Sequence, residues 1–199
     1  MKKKVLIVLT IILVLIIGIG GFFYLNKDSE SSDAIKFSEE YGISEDNVFV
    51  YRDKEEILNI MKNGTGVVYL GFPECPWCKA YVVYLNEVAK SNGLDKIYYY
   101  NILDDRKNNT EFYQEVVSLL SGNLQYDEEG NERIYVPNVS FHVKGSIIGN
   151  DYETSKDTNG FSNPQEYWTE TEIKDLKDTL NEYFKKVVNE LNTCTTCNK

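Results

Sequence analysis

The stretch Val67-Val68-Tyr69-Leu70-Gly71-Phe72-Pro73-Glu74-Cys75-Pro76-Trp77-Cys78-Lys79 decides how the rest of the chain is read. Its apolar first half reads as a buried strand ending at Gly71. A tight turn follows, and two cysteines spaced C-x-x-C then open a helix. Cys78, Tyr81, Val82, Leu85, Val88 and Ala89 recur at helical spacing and give that helix one apolar face. Pro76 falls at the first helical position, where its missing N–H is no loss. Cys75 then occupies the cap, facing the free N–H groups of the first turn. The partial positive charge of a helix start favours a thiolate, the nucleophilic form of cysteine, and lowers its pKa below the free value of roughly 8.5. Cys78, one turn further in, is placed to attack a mixed disulfide formed on Cys75. A zinc half-site or a plain structural disulfide is the duller reading of the same spacing.

Strand, dithiol, helix and a downstream Val136-Pro137 together resemble the active site of the thioredoxin-like superfamily, over roughly residues 47–190. Within it the likeness is to membrane-anchored bacterial proteins, including bacteriocin-transport accessory proteins. The resemblance implies an α/β fold, a central mixed β-sheet flanked by helices. It also implies thiol–disulfide oxidoreductase activity on protein or peptide thiols and disulfides, with no organic cofactor and no metal. Cys75 is then the attacking thiolate and Cys78 the resolving thiol. Pro76 and Trp77 tune the dithiol and meet substrate. Pro137 becomes a cis-proline beside the sulfurs, with the Val136 backbone offered to an extended substrate chain. Two positions depart from the family pattern. Tyr69 stands where many thioredoxins bury an aspartate, and its phenol, titrating near ~10, is a poor proton acceptor. Glu74 stands where they carry tryptophan, and a carboxylate there should raise the Cys75 pKa.

Residues 2–4 are all lysine, and Val5–Leu25 is uncharged and almost wholly apolar. Twenty-one residues at ~1.5 Å each can cross a ~30 Å hydrocarbon layer, so residues 1–26 read as a transmembrane anchor. The lysines keep the N-terminus inside and put the rest of the chain outside the cytoplasm, giving a single-pass cell-membrane protein. A cleaved signal peptide, with Gly18 and Gly20 at the cleavage site, is the rival. Residues 27–46 read as a solvated tether and lead-in, 47–191 as the globular domain, and 192–199 as a cysteine-containing tail.

Residues 28–199 hold all 31 acidic and 17 of the 21 basic residues, a net charge near −14. That excludes a nucleic-acid partner, which needs clustered Lys and Arg. The remaining cysteines, Cys194 and Cys197, form a second C-x-x-C. An auxiliary redox role or a passive tail disulfide fits it, while electrons for the Cys75–Cys78 pair are expected to come from or go to a membrane redox partner. Four-cysteine zinc binding is the non-enzymatic alternative, alongside a binding module whose thiols are incidental. His142, the single histidine, reads as a strand residue.

Outside the central stretch, strands are expected at Asn47–Tyr51, Lys96–Leu103, Pro137–Val143 and Gly145–Gly149. Helices are expected from Asp53, over Asn109–Leu120, and from Thr169 to about Leu191.

Overall fold

The computed structural model describes residues 30–152 and 160–193. The expected anchor, the segment 153–159, and Cys194 and Cys197 lie outside the described residues. Among the described residues no helix is long and apolar enough to cross a membrane.

Five strands form the central sheet: β1 (Phe49–Tyr51), β2 (Gly66–Gly71), β3 (Ile97–Asn101), β6 (Asn138–Val143) and β7 (Ser146–Asp151). Their spatial order is β1-β3-β2-β6-β7. β1, β3 and β2 run parallel, whereas β6 and β7 are antiparallel to their neighbours. β2 lies at the centre with all six residues buried, as its apolar run requires of a strand covered on both faces. A small hairpin, β4 (Gln125–Tyr126) with β5 (Glu132–Arg133), stands apart from the sheet.

One row of side chains crosses all five strands: Tyr51, Tyr99, Tyr69, Val139 and Asp151 stand opposite one another in register. Strand periodicity puts this row on one face. α1 (30–41), α3 (Pro76–Ser91) and α7 (Glu170–Thr193) cover it, through ring contacts from Phe37 and Tyr41, from Tyr81, and from Phe184 to Phe141. The opposite face carries α2 (Lys54–Asn63), α4 (Leu103–Asn108) and α5 (Glu111–Leu119), with Phe112 against Tyr100. A short α6 (Pro164–Tyr167) leads into α7.

The helix starts follow their caps. Asp53 accepts from the Glu56 amide at 2.9 Å while Glu56 accepts from the Asp53 amide at 3.1 Å, a complete capping box. Thr169 accepts from the Glu172 amide at 3.3 Å and opens α7. α3 ends at Asn92, with Gly93 following at φ +74°.

The lead-in differs from expectation. Residues 30–41 are not a solvated tether but a helix docked on the sheet. Phe37 is fully buried, stacked on Tyr41 at 4.1 Å and on Phe49 at 4.0 Å. Asp33 accepts from the Tyr51 amide at 3.0 Å and ties the helix to the β1 edge. The globular unit therefore begins near residue 30 rather than 47. The apolar spacing Ala34, Phe37, Tyr41 is helical but diluted by Ser, Asp and Glu, which gave the segment its tether-like composition. Around residue 105 the chain forms α4 before α5. It is anchored by buried Asp105, which accepts from Lys54, Tyr100 and Thr110 at 2.6 Å each.

Two outcomes follow for stability. Phe37→Ala is expected to destabilise the domain by about 3–5 kcal/mol, as for other large core truncations; chemical denaturation reads this directly. His142 is buried, and burial lowers its pKa from 6.5 to about 4. The folded state therefore stays neutral where the unfolded state takes up a proton. Stability should fall as pH drops from about 6.5 to about 4, by up to roughly 3 kcal/mol, with His142→Gln removing most of that slope.

Candidate dithiol site

The site begins where β2 runs out. Gly71 is required there: a Cβ on it would lie 2.4 Å from the Tyr69 Oη, inside any tolerable contact. The Phe72 carbonyl accepts from the Cys75 amide at 3.2 Å and closes the turn. Cys75 is the N-cap of α3, in extended conformation, with Pro76 just inside the helix. The Cys75 Sγ accepts from the Cys78 amide at 3.1 Å. Both cysteines are free thiols; Cys75 is 8% exposed and Cys78 fully enclosed.

Their electrostatics diverge. The Cys75 thiol titrates below its ordinary value, held down first by the Cys78 side chain, then by the Cys78 and Trp77 amides and the Arg106 guanidinium. Burial opposes this without reversing it. Cys78 is pushed well up, by burial first and then by the Cys75 sulfur. Glu74, expected to raise the Cys75 pKa, is exposed, and a carboxylate in water is screened. It is not among the leading influences on the thiol; a cation is.

Beneath the pair sits Tyr69, fully buried, its phenol pushed well above the ordinary range by burial and then by the Cys78 sulfur. Its hydroxyl lies beside Cys78 and Tyr41 without a hydrogen bond of good geometry among the described residues. Tyr69 stacks against Tyr81 at 6.5 Å, and Tyr81 donates to buried Asp151 at 2.5 Å. A buried carboxylate thus stands on the Tyr69 row, two strands away.

Trp77 is half-buried and meets Tyr167 of α6 edge-on at 5.6 Å; Pro76 is exposed beside it. The Val136–Pro137 bond is cis. Pro137 is buried and Val136 half-buried. Because Asn138 pairs with Leu70, residues 136–137 adjoin the end of β2 from which the dithiol turn departs. Cys75, Cys78, Pro76, Trp77, Val136 and Pro137 therefore gather at one end of the sheet. Cys194 and Cys197 lie outside the described residues, so the four-cysteine arrangement does not enter this geometry. Among the described residues no three His, Cys, Asp or Glu side chains cluster as a metal site.

Sequence reading missed Arg106 and the Tyr81–Asp151 pair. Nothing in local spacing joins residue 106 to residue 75; parallel pairing of β2 and β3 brings their following turns together. No family model, curated protein or solved structure matches this chain.

The chemistry open to the site is nucleophilic attack by one sulfur and resolution by the other. On alkylation of the reduced protein, Cys75 should react with a pH midpoint below the free-cysteine value of roughly 8.5. Cys78 should stay unmodified until the protein is unfolded. Mass spectrometry of quenched samples across pH 5–9 reads both; equal labelling of the two thiols would contradict the assignment.

Proposed function

We propose that this protein is a thiol–disulfide oxidoreductase of the thioredoxin-like kind, acting on protein or peptide thiols and disulfides. The observation that carries the reading is the split pair at the head of α3. One sulfur accepts a backbone amide and titrates low; the other sits enclosed behind it and titrates high. The strand order and the covering helices on both faces support the same reading.

In the reducing direction, the Cys75 thiolate attacks a substrate disulfide. The substrate S–S bond breaks, and its departing sulfur leaves as a thiolate that takes a proton from water. Cys78 then loses its proton and attacks the Cys75 sulfur. The mixed disulfide breaks, the second substrate sulfur leaves, and a Cys75–Cys78 disulfide remains. Two electrons have passed from the dithiol to the substrate. In the oxidising direction each step reverses, and a partner dithiol or disulfide resets the enzyme. No organic cofactor or metal enters these steps.

The lysine-led apolar segment 5–25 supports anchoring in the cell membrane, with the catalytic domain outside the cytoplasm and a membrane redox partner within reach. Maturation of an exported peptide, as in bacteriocin transport, is the cellular setting this suggests. The net charge of −10 argues against nucleic acid as a partner.

Cys78→Ser in the full chain should trap substrate proteins as mixed disulfides on Cys75 in cells, visible on non-reducing gels. Cys75→Ser should trap none. If the Cys78→Ser protein captures nothing and the native pair shows no measurable reduction potential, the fold is serving as a binding module instead.

A further inference from the structure

The acidic chain holds only three arginines; one, Arg106, reaches the dithiol turn, and a second, Arg133, shares a cleft with it. Arg106, on α4, is half-buried, with its guanidinium carbon 5.0 Å from the Phe72 ring centroid. Phe72 is the residue whose carbonyl closes the Cys75 turn. Arg133, on β5, lies over Tyr135 at 5.6 Å. Both guanidiniums line one cleft of about 410 Å³ with Asn109, Tyr113 and Asn131.

Arginines on such a surface normally find carboxylates. Arg52 pairs with Asp33 and Glu56, at 3.9 and 3.6 Å. Among the described residues the guanidiniums of Arg106 and Arg133 make no ion pair within 4.0 Å and no hydrogen bond. They also repel one another: burial and then Arg133 hold the Arg106 pKa below its usual value. Asp127, Glu129 and Glu132 share the cleft, but two of these carboxylates are committed to their own loop. Asp127 accepts from the amides of Glu129 and Asn131, at 3.0 and 2.8 Å, and also feels Arg133. Glu132 accepts from the Ser121 hydroxyl and the Gly122 amide at 2.6 Å each. Apart from the field of Asp127 on Arg133, the two like charges are held together without an ion pair, which makes a poor structural device. They make a good receptor for a planar anion, which a guanidinium grips through two parallel hydrogen bonds.

We propose that Arg106 and Arg133 form a carboxylate-binding subsite beside Cys75, which selects polypeptide thiols or disulfides carrying an acidic group close to the reacting sulfur. This rests on the dithiol reading above. Arg106 lies over Phe72, three residues before Cys75, so the acid is expected within a few residues of the reacting cysteine. The carboxylate can come from an Asp or Glu side chain or from a chain terminus.

The test uses the full chain, reduced, reacting with blocked cysteine peptides as mixed disulfides with thionitrobenzoate. Three peptides differ only in Glu, Gln or Lys two residues before the cysteine; a fourth carries Gln and a free C-terminal carboxylate. The Glu peptide should react faster than the Lys peptide by about two- to fivefold at low salt, the scale of one partly screened ion pair. That ratio should shrink with added salt, fall to near one in Arg106→Gln/Arg133→Gln, and be partly kept in Arg106→Lys. Taking the ratio within each variant cancels any change in thiolate population. The fourth peptide decides whether a terminal carboxylate serves as well as a side chain. A Glu-to-Lys ratio near one in the native protein, or one unaltered in the double variant, overturns the subsite while leaving the dithiol reading intact. No exchange with any peptide overturns both.

Discussion

Everything at this site depends on one hydrogen bond that no side chain of another type could make in the same way: the Cys78 amide donating to the Cys75 sulfur. A capping oxygen satisfies a helix start and goes no further. A capping sulfur does so and is also a leaving group and a nucleophile. A cap is worth about 1 kcal/mol and the helix dipole a similar amount, and both favour the thiolate. Burial pushes the other way, and the thiol still titrates low, because the Cys78 side chain, and after it the Trp77 amide and Arg106, join the cap.

Charge is distributed against the grain of the composition. A chain with net charge −10 would be expected to raise thiol pKa values everywhere. At Cys75 it does not, since Glu74 is exposed to water while Arg106 lies half-buried over Phe72. Distance and dielectric decide which charge the sulfur feels, not which residue adjoins it in sequence. The same logic separates Tyr69 from a carboxylate. A buried aspartate would add a negative charge beneath Cys78. A buried phenol stays neutral, and burial together with the Cys75 sulfur keeps the enclosed Cys78 thiol protonated.

The elements legible in the sequence were those whose signal is local and strong. β2 showed as an apolar run, α2 through the Asp53–Glu56 box, α3 through Pro76 and its apolar stripe, and the β6–β7 turn through Lys144-Gly145. The dithiol was legible for the same reason: two cysteines and a proline sit within four residues. What escaped was set by tertiary contact. Helix 30–41 exists because Phe37 and Tyr41 find Phe49, Tyr69 and Tyr99, not because Ser, Asp and Glu favour helix. Arg106 reaches the site through strand pairing, and Asp151 reaches Tyr81 across 70 residues of chain.

The aromatic row explains why the site can be both enclosed and rigid. Tyr69 stacks on Tyr99 at 5.7 Å and on Tyr81 at 6.5 Å, while Tyr41 donates to the Tyr99 hydroxyl at 3.1 Å. These rings fill the space between the sheet and α3, so α3 cannot slide along β2 without disturbing several close-packed contacts at once. Tyr69 also occupies the volume above Gly71, fixing where the strand ends. The position of the Cys75 sulfur is therefore set from below by packing and from within by its cap. That leaves the cleft lined by Arg106 and Arg133 as a region where charge, rather than packing, dominates.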